Sequence, residues 1–412
     1  DILVLKNNKG TEDNRVRRMD YSIQMSKLFY ERFINEEDIT LFSPHAVPGL
    51  YDAFGTDKFD ALYKKYEKDK SIPKKTIAAQ ELFADLLKER AETGRIYIMN
   101  IDHSNSHSSF KDKVSMSNLC QEITLPTTPI KGIDDPDGEI ALCILSAINV
   151  GAIGNLNELE TLCDLSVRAL DEIIELQDYP VKAAEVSTKS RRSLGIGYIG
   201  LAHYLAKNGV KYSDPKAWEL VDRLSEAFQY YLLRASCDIA EEKGKCSAFD
   251  KTKYADGLLP IDHYKKEVDE IVVHKQRMAW ETLRKDILKY GLRHSTLSAQ
   301  MPSESSSVVS NETNGIEPPR ALLSIKKSKK GPLKQIVPGF PNLKNAYTLL
   351  WDMGSNEGYI KIVSVMQKYF DQAISGNWSY NPLQFENNEV PLSVMAQDML
   401  MAYKYGWKTS YY

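Results

Sequence analysis

Short apolar runs, each set between far longer stretches of helical periodicity, recur along this chain and limit what it can fold into. Arg95-Ile96-Tyr97-Ile98-Met99-Asn100, the run Ile140 to Leu145, and Leu297-Ser298-Ala299-Gln300-Met301 read as strands. Residues 14 to 35, 57 to 93, 156 to 176, 217 to 243, 360 to 374 and 392 to 404 carry apolar side chains at 3.6-residue spacing and read as amphipathic helices. Strands that return through a helix pair in parallel, so the pattern predicts an α/β fold with parallel strands. With 412 residues and 42% hydrophobic content, such a chain buries a large core.

The net charge of −3 and the lack of a long basic run give no footprint for a nucleic-acid backbone, although a nucleotide remains possible as a substrate. No apolar stretch is long enough to span a bilayer, and Asp1-Ile2-Leu3-Val4-Leu5-Lys6 has no signal-peptide pattern, so neither membrane nor export is expected and the address is cytoplasmic. Five cysteines, an odd number, argue against a disulfide scaffold and leave catalysis as the use for any reactive thiol. Cys163 falls on a helical stripe, and Cys237 and Cys246 flank a helix end capped by Gly244; all three read as structural.

Asn118-Leu119-Cys120-Gln121-Glu122 carries the chemistry. On an extended backbone, side chains at i, i+2 and i+4 share a face, which would present an amide, a thiol and a carboxylate together. The amide can hold a hydroxyl, the carboxylate can take its proton, and the sulfur can be a nucleophile or lose a hydrogen atom. The pattern is short and, alone, weak. It is accompanied by Leu142-Cys143-Ile144-Leu145-Ser146, by Pro302-Ser303-Glu304-Ser305-Ser306-Ser307 and by Tyr411-Tyr412. A serine-rich turn entering a helix offers hydroxyls and free N–H groups to an anion.

In this order, and with Gly94-Arg95-Ile96-Tyr97-Ile98, Asn314-Gly315-Ile316-Glu317-Pro318-Pro319-Arg320 and Ala402-Tyr403-Lys404-Tyr405-Gly406 between them, the segments resemble the large, catalytic subunit of class I ribonucleoside-diphosphate reductases over essentially the whole chain. The resemblance implies part of a ten-stranded α/β barrel with the Cys120 finger inside it. It implies that Cys120 becomes a thiyl radical, that Glu122 is the base, that Asn118 holds the ribose, and that Cys143 is one of two reducing thiols. Tyr412 then Tyr411 would pass the radical to Cys120. Pro302, Ser303, Glu304, Ser305 and Ser306, with Leu119, would hold a ribonucleoside diphosphate, chiefly its phosphates. No cofactor or metal is expected on this chain: a metal-containing small subunit supplies the radical, and thioredoxin or glutaredoxin the electrons. Large subunits of this kind pair as dimers.

The chain lacks an initiating methionine and opens on an apolar run, Ile2 to Leu5, so residues 1 to 412 are expected to be the carboxy-terminal portion of the catalytic barrel. The amino-terminal nucleotide-binding cone, the first barrel strands and the partner thiol would be encoded separately or precede this sequence, and a redox-active cysteine tail would follow Tyr412. Three rivals remain. A glycyl-radical barrel enzyme needs a glycine motif that Tyr403-Lys404-Tyr405-Gly406-Trp407 does not supply, a cobalamin-dependent reductase has no need of Tyr411-Tyr412, and an inert assembly half has no need of Asn118, Cys120 and Glu122.

Two further patterns are set aside. Gly195-Ile196-Gly197-Tyr198-Ile199-Gly200 fits a dinucleotide fingerprint but follows a polar run instead of a strand, so its glycines are expected to serve close packing at the start of a helix through Tyr204. His103 and His107 sit in a Ser- and Asn-rich stretch expected to be a loop, without a metal motif, and are assigned a surface or supporting role.

Overall fold

The computed structural model describes residues 20–328 and 331–412, so the Ile2 to Leu5 run lies outside the described residues. Five short strands carry the frame: β1 (Tyr21–Met25), β2 (Ile96–Asn100), β3 (Leu145–Asn149), β4 (Gly195–Ile199) and β5 (Thr409–Ser410). β1 pairs in parallel with β2, with Tyr21 opposite Ile96, and β3 in parallel with β4, with Leu145 opposite Gly195. β5 runs antiparallel to β2.

Two extended segments join these pairs into one row. Residues 296–300 bond to β4 through Leu194 N–H to Thr296 O (3.0 Å) and Ile196 N–H to Leu297 O (2.8 Å), and to residues 372–376 through Gln300 N–H to Ala373 O (3.1 Å). Residues 376–378 then meet the terminal strand through Tyr411 N–H to Gly376 O (2.9 Å) and Trp378 N–H to Tyr412 O (3.0 Å). The row therefore runs β3, β4, 296–300, 372–378, β5, β2, β1. This is the expected α/β arrangement with parallel strands. Among the described residues no backbone pairing joins β1 to β3, so the row stays open and the closed ten-stranded barrel is not seen.

Helices cover one face. Ile196 and Tyr198 of β4 join the largest apolar core, with α-helices Glu158–Leu176, Pro215–Lys243 and Glu357–Gln367 packed on it. The alternate positions, Gly195 and Gly197, face the other way, as strand geometry requires. A Cβ at Gly195 would lie 2.6 Å from Leu145 and 3.1 Å from Ile123, and one at Gly197 would lie 2.6 Å from the Ala299 carbonyl. The glycine run thus serves close contact, as the sequence suggests, but as a strand and not at a helix start. Cys163, Cys237 and Cys246 are buried in the same core, as expected.

Asp371 fastens the middle of the row. Its buried carboxylate accepts from Tyr254 Oη (2.8 Å), Leu297 N–H (2.9 Å), Ser298 N–H (2.8 Å) and Ser298 Oγ (3.0 Å), which satisfies a charge that would be costly unpaired. Lys408, wholly buried, donates to the carbonyls of Phe370, Asp371 and Gln372.

The structure corrects several expectations. Of the helix expected over 14–35, residues 14–19 lie outside the described residues, and the rest is β1 followed by a helix at Lys27–Ile34. The one expected over 57–93 is two helices, Phe59–Lys68 and Ala79–Thr93, separated at Pro73 by a strand, Lys74–Ala78, that pairs with Asp38–Phe42. The helix expected to reach Ile374 stops at Gln367, where the chain turns into the row, held by the Gln367 side chain on the Phe370 and Gln372 carbonyls. Ile101–Ser106 is a helix, not a loop: the Asn105 side chain bonds Ile101 O and Val114 O and accepts from Val114 N–H, so tertiary contact overrides a weak propensity. His103 and His107 are consequently buried, each with a ring nitrogen on a backbone carbonyl, of Trp407 and Pro260. No helix among the described residues is long and apolar enough to cross a membrane.

Candidate active site

The segment 110–125 enters the face of the row opposite the helices and forms a finger. Its stem is apolar: Phe110, Val114, Ile123 and Leu125 pack with Met99 and Ala299. Its tip is not the extended run expected of Asn118 to Glu122. Gln121 N–H bonds Asn118 O (3.2 Å), and Gln121 has φ of +70°, so Asn118-Leu119-Cys120-Gln121 is a tight turn. Asn118 closes it, with N–H to Ile123 O (3.2 Å) and Oδ1 accepting from Ile123 N–H (3.0 Å). Glu122, in the returning arm, still accepts a hydrogen bond from the Asn118 side chain. Amide and carboxylate are brought together by a turn and not by strand alternation.

One end of the row and its middle hold this tip. Gln121 Nε2 donates to Ser22 Oγ of β1 (2.8 Å), and Gln24 Nε2 to Ser115 O (2.5 Å). On the other arm Ala373 N–H donates to Glu122 O (3.0 Å) and Thr124 N–H to Gln372 Oε1 (3.2 Å). One finger bonded from β1 on one side and from 372–373 on the other requires the row to curve around it.

Cys120 is half-buried, and its thiol lies near enough to the Tyr411 hydroxyl to be influenced by it. Burial pushes the thiol up from its ordinary value, against the lowering effect of Tyr411 and with the Glu122 carboxylate adding to the rise. Cys143 lies close enough to feel both Glu122 and Cys120; desolvation and those charges push it up to about 11. It precedes β3 and is exposed, whereas the sequence alone places it inside a buried strand. Glu122 is 2% exposed, and burial raises its carboxyl despite the Asn118 hydrogen bond. Its Oε2 is buried without a partner, an unmet acceptor of the kind found where a ligand group is to arrive.

Tyr411 and Tyr412 have ring centroids 4.2 Å apart. Tyr411 is 9% exposed and Tyr412 45%, so the pair leads from surface to sulfur. Arg90 anchors it, donating to Ser410 Oγ (2.9 Å), Tyr411 O (3.4 Å) and the Ile96 carbonyl. A third phenol, Tyr97 of β2, packs on both rings. Sequence reasoning takes it only as a strand residue; no motif marks it, because its partners lie more than 300 positions away.

The serine-rich loop stands apart from this cluster. Ser303 is buried with φ of +58°, Pro302 is half-buried, and Glu304, Ser305 and Ser306 are exposed before a single helical turn, Ser306–Val309. Its link to the centre is Glu317, which lies near Glu304 and accepts from the Asn377 side chain, one residue from Trp378 beside Tyr412. Burial raises the Glu317 carboxyl. Leu119 is exposed at the finger tip. Among the described residues no group of three or more His, Cys, Asp or Glu side chains is placed to hold a metal ion.

A family model described as "Ribonucleotide reductase, barrel domain" matches residues 1–346 and 340–412. The whole chain is 58% identical to the ribonucleoside-diphosphate reductase subunit alpha of Haemophilus influenzae and 55% identical to the ribonucleoside-diphosphate reductase 1 subunit alpha of Escherichia coli, covering 55% of each. It is 43% identical to the subunit alpha of Enterobacteria phage T4, again over 55% of that protein. The chain spans about half the length of the curated relatives it matches. A match to the barrel model along its full extent makes this chain a member of the ribonucleotide reductase barrel-domain family.

Proposed function

We propose that this chain carries the catalytic thiol of a class I ribonucleoside-diphosphate reductase and reduces the ribose of a ribonucleoside diphosphate at its 2′ carbon. The carrying observation is the contact of the Cys120 thiol with the buried Tyr411 phenol, beside the Asn118–Glu122 pair. Thiols pushed up by burial stay as S–H at neutral pH, which suits hydrogen-atom chemistry over thiolate attack.

Cys120, as a thiyl radical, takes the 3′ hydrogen atom and becomes S–H. Glu122 removes the 3′ hydroxyl proton, and its unpartnered Oε2 is the acceptor ready for it. Asn118 hydrogen-bonds the 2′ side of the ribose. The 2′ hydroxyl leaves as water with a proton from the reducing thiols. Cys143 and a second thiol, from the remaining length of the large subunit, supply two electrons and a second proton, which complete the new C2′–H bond, and close as a disulfide while Glu122 returns its proton to the 3′ oxygen. Cys120 then returns its hydrogen atom to C3′. Thioredoxin or glutaredoxin reopens the disulfide. Pro302, Ser303, Glu304, Ser305 and Ser306 hold the diphosphate, with Leu119 at the rim of the site. The radical enters from a metal-containing small subunit through Tyr412 and Tyr411, and the large subunit acts as a dimer.

The test is product analysis with the full-length large subunit, its small subunit and a dithiol reductant. A 2′-deoxyribonucleoside diphosphate is expected, and its absence with a radical-loaded small subunit would refute the reading.

A pH effect follows from the Asn118–Glu122 bond. Asn118→Asp keeps an oxygen for the Ile123 N–H but replaces the amide donor with a like charge, so the Glu122 carboxyl rises further. Because the base must be ionised, turnover is lost as pH falls through its pKa, and the acid limb of kcat/KM is expected to move to higher pH. Each unit of movement costs up to about tenfold at the acid end. An unmoved limb would show that Glu122 is not the titrating base.

A further inference from the structure

The serine-rich loop is tied to the body of the protein through Glu312. Ser307 N–H bonds Ser303 O (3.1 Å), and the turn closes where Glu312 N–H bonds Ser307 O (2.8 Å). The Glu312 side chain then leaves the loop and runs inward, and the residue is 3% exposed. Its carboxylate accepts from His203 Nδ1 (3.0 Å) and from Thr313 N–H (2.8 Å). Gln335 Nε2 donates to its backbone carbonyl (2.8 Å).

The place it enters is shaped around it. Two glycines form the walls, one in the turn after β3 and one directly after β4. A Cβ on Gly151 would lie 2.6 Å from Glu312 Oε2 and 2.8 Å from His203 Nδ1, and one on Gly200 would lie 2.8 Å from Glu312 Cγ. Neither position admits a larger residue while the carboxylate stays where it is. Gly200, with φ of +82°, also opens the helix Leu201–Lys207 that carries His203. Lys207 of that helix donates to the carbonyls of Gly151 and Ile153 (2.9 Å each), which fixes one wall against the other. The chain beyond Glu312 is held by the same helix start, through Gly200 N–H to Thr313 O (3.1 Å) and Leu201 N–H to Gly315 O (3.2 Å).

A carboxylate buried to this degree is costly unless its acceptors are met, and here both oxygens are. The socket also lies at the carboxyl ends of the parallel strands β3 and β4, the end at which ligands settle in sheets of this kind. Two connections therefore converge on one side chain of a third, and that third is the loop assigned to the phosphates.

We propose that Glu312, held by His203 in the socket of Gly151 and Gly200, is a positioning residue that sets where Ser303, Glu304, Ser305 and Ser306 stand and so lets the loop take the substrate diphosphate. The inference rests on the reading of that loop as the diphosphate holder. Glu312 itself touches no part of the substrate.

The experiment uses the full-length large subunit with its small subunit and compares wild type, Glu312→Gln and Gly151→Ala in steady-state reduction. Two constants are read: KM for a ribonucleoside diphosphate, and the inhibition constant of the matching ribonucleoside, which has no phosphate. Glu312→Gln keeps the shape and loses the charge-assisted bond to His203, so KM is expected to rise about tenfold, with kcat and the ribonucleoside constant nearly unchanged. Gly151→Ala keeps both partners and displaces the carboxylate with a methyl group, so it should raise KM with the same split. A wild-type KM in both variants would overturn the proposal. So would an equal weakening of diphosphate and ribonucleoside, because Glu312 would then support the site as a whole and not the loop. If the wild type binds the ribonucleoside as tightly as the diphosphate, the phosphate reading of the loop fails, and this inference fails with it. Should Glu312→Gln not fold, His203→Gln, at a side chain 14% exposed, removes the same bond from the other partner, and the same split decides.

Discussion

Cys120→Ser will take nucleotide reduction below detection while the chain folds, binds nucleotide and accepts the small subunit as before. The substitution is small in space. Serine is slightly shorter, the site is only half-buried, and a hydroxyl is tolerated beside the Tyr411 phenol. The loss is chemical: an O–H bond is much harder to break homolytically than S–H, and every ~1.4 kcal/mol added to the barrier costs tenfold. A penalty of several kcal/mol therefore removes at least about a thousandfold. Turnover, nucleotide binding and thermal unfolding measured on one preparation separate chemistry from fold. Detectable product from Cys120→Ser would end the thiyl mechanism, because Cys120 is the sulfur that lies beside Tyr411.

How much of this is legible in the sequence differs from residue to residue. Asn118, Cys120 and Glu122 form a correct grouping reached through an incorrect geometry. Strand alternation would align them, but Gln121 at positive φ turns the chain, and the amide meets the carboxylate across the turn. Sequence shows which side chains are near one another along the chain and leaves open which backbone brings them together. Cys143 reads locally as buried, because Ile140 to Leu145 is apolar; it is exposed, since the strand begins only at Leu145. Tyr97 carries no signal at all. A tyrosine in an apolar strand is ordinary, and its meaning arises from a strand pairing between residues 98–99 and 409–410.

The fold is legible where period and length agree. The helices at Glu158–Leu176, Pro215–Lys243 and Leu392–Lys404 match their expected spans closely, since long amphipathic stripes leave little choice. Legibility fails where short polar segments are decided by distant partners. Lys74–Ala78 is a mostly exposed strand that exists because Asp38–Phe42 lies beside it, and Ile101–Ser106 is helical because Asn105 bonds across to Val114. Residues 372–376 are the instructive case. Their apolar spacing continues that of the preceding helix, yet Lys408 and Gln367 capture the carbonyls that further helix would need, and the segment becomes part of the row that carries Asn377 and Trp378 to the terminal phenols.

Tyr411→Phe should be nearly as damaging as the loss of the thiol, with a wholly different cause. Phenylalanine retains the buried ring and its packing against Tyr97 and Tyr412, so the terminal strand, its bonds to Gly376 and the Arg90 anchor have no reason to shift. What disappears is the one hydroxyl in contact with the Cys120 sulfur. An oxidising equivalent arriving at Tyr412 then faces a ring with no proton to release. It must cross to sulfur in one step from Tyr412, whose ring packs on those of Tyr411 and Tyr97. The barrier rises for electron and proton together, and kcat is expected to fall by more than about a thousandfold, equal to some 4 kcal/mol, with nucleotide affinity unchanged. The measurement is single-turnover product formation beside spectroscopy of the small-subunit radical, which should persist undischarged in Tyr411→Phe. If that radical is consumed at the wild-type rate and product appears, sulfur is being oxidised without the Tyr411 phenol. The contact that supports the functional reading would then be packing and nothing more.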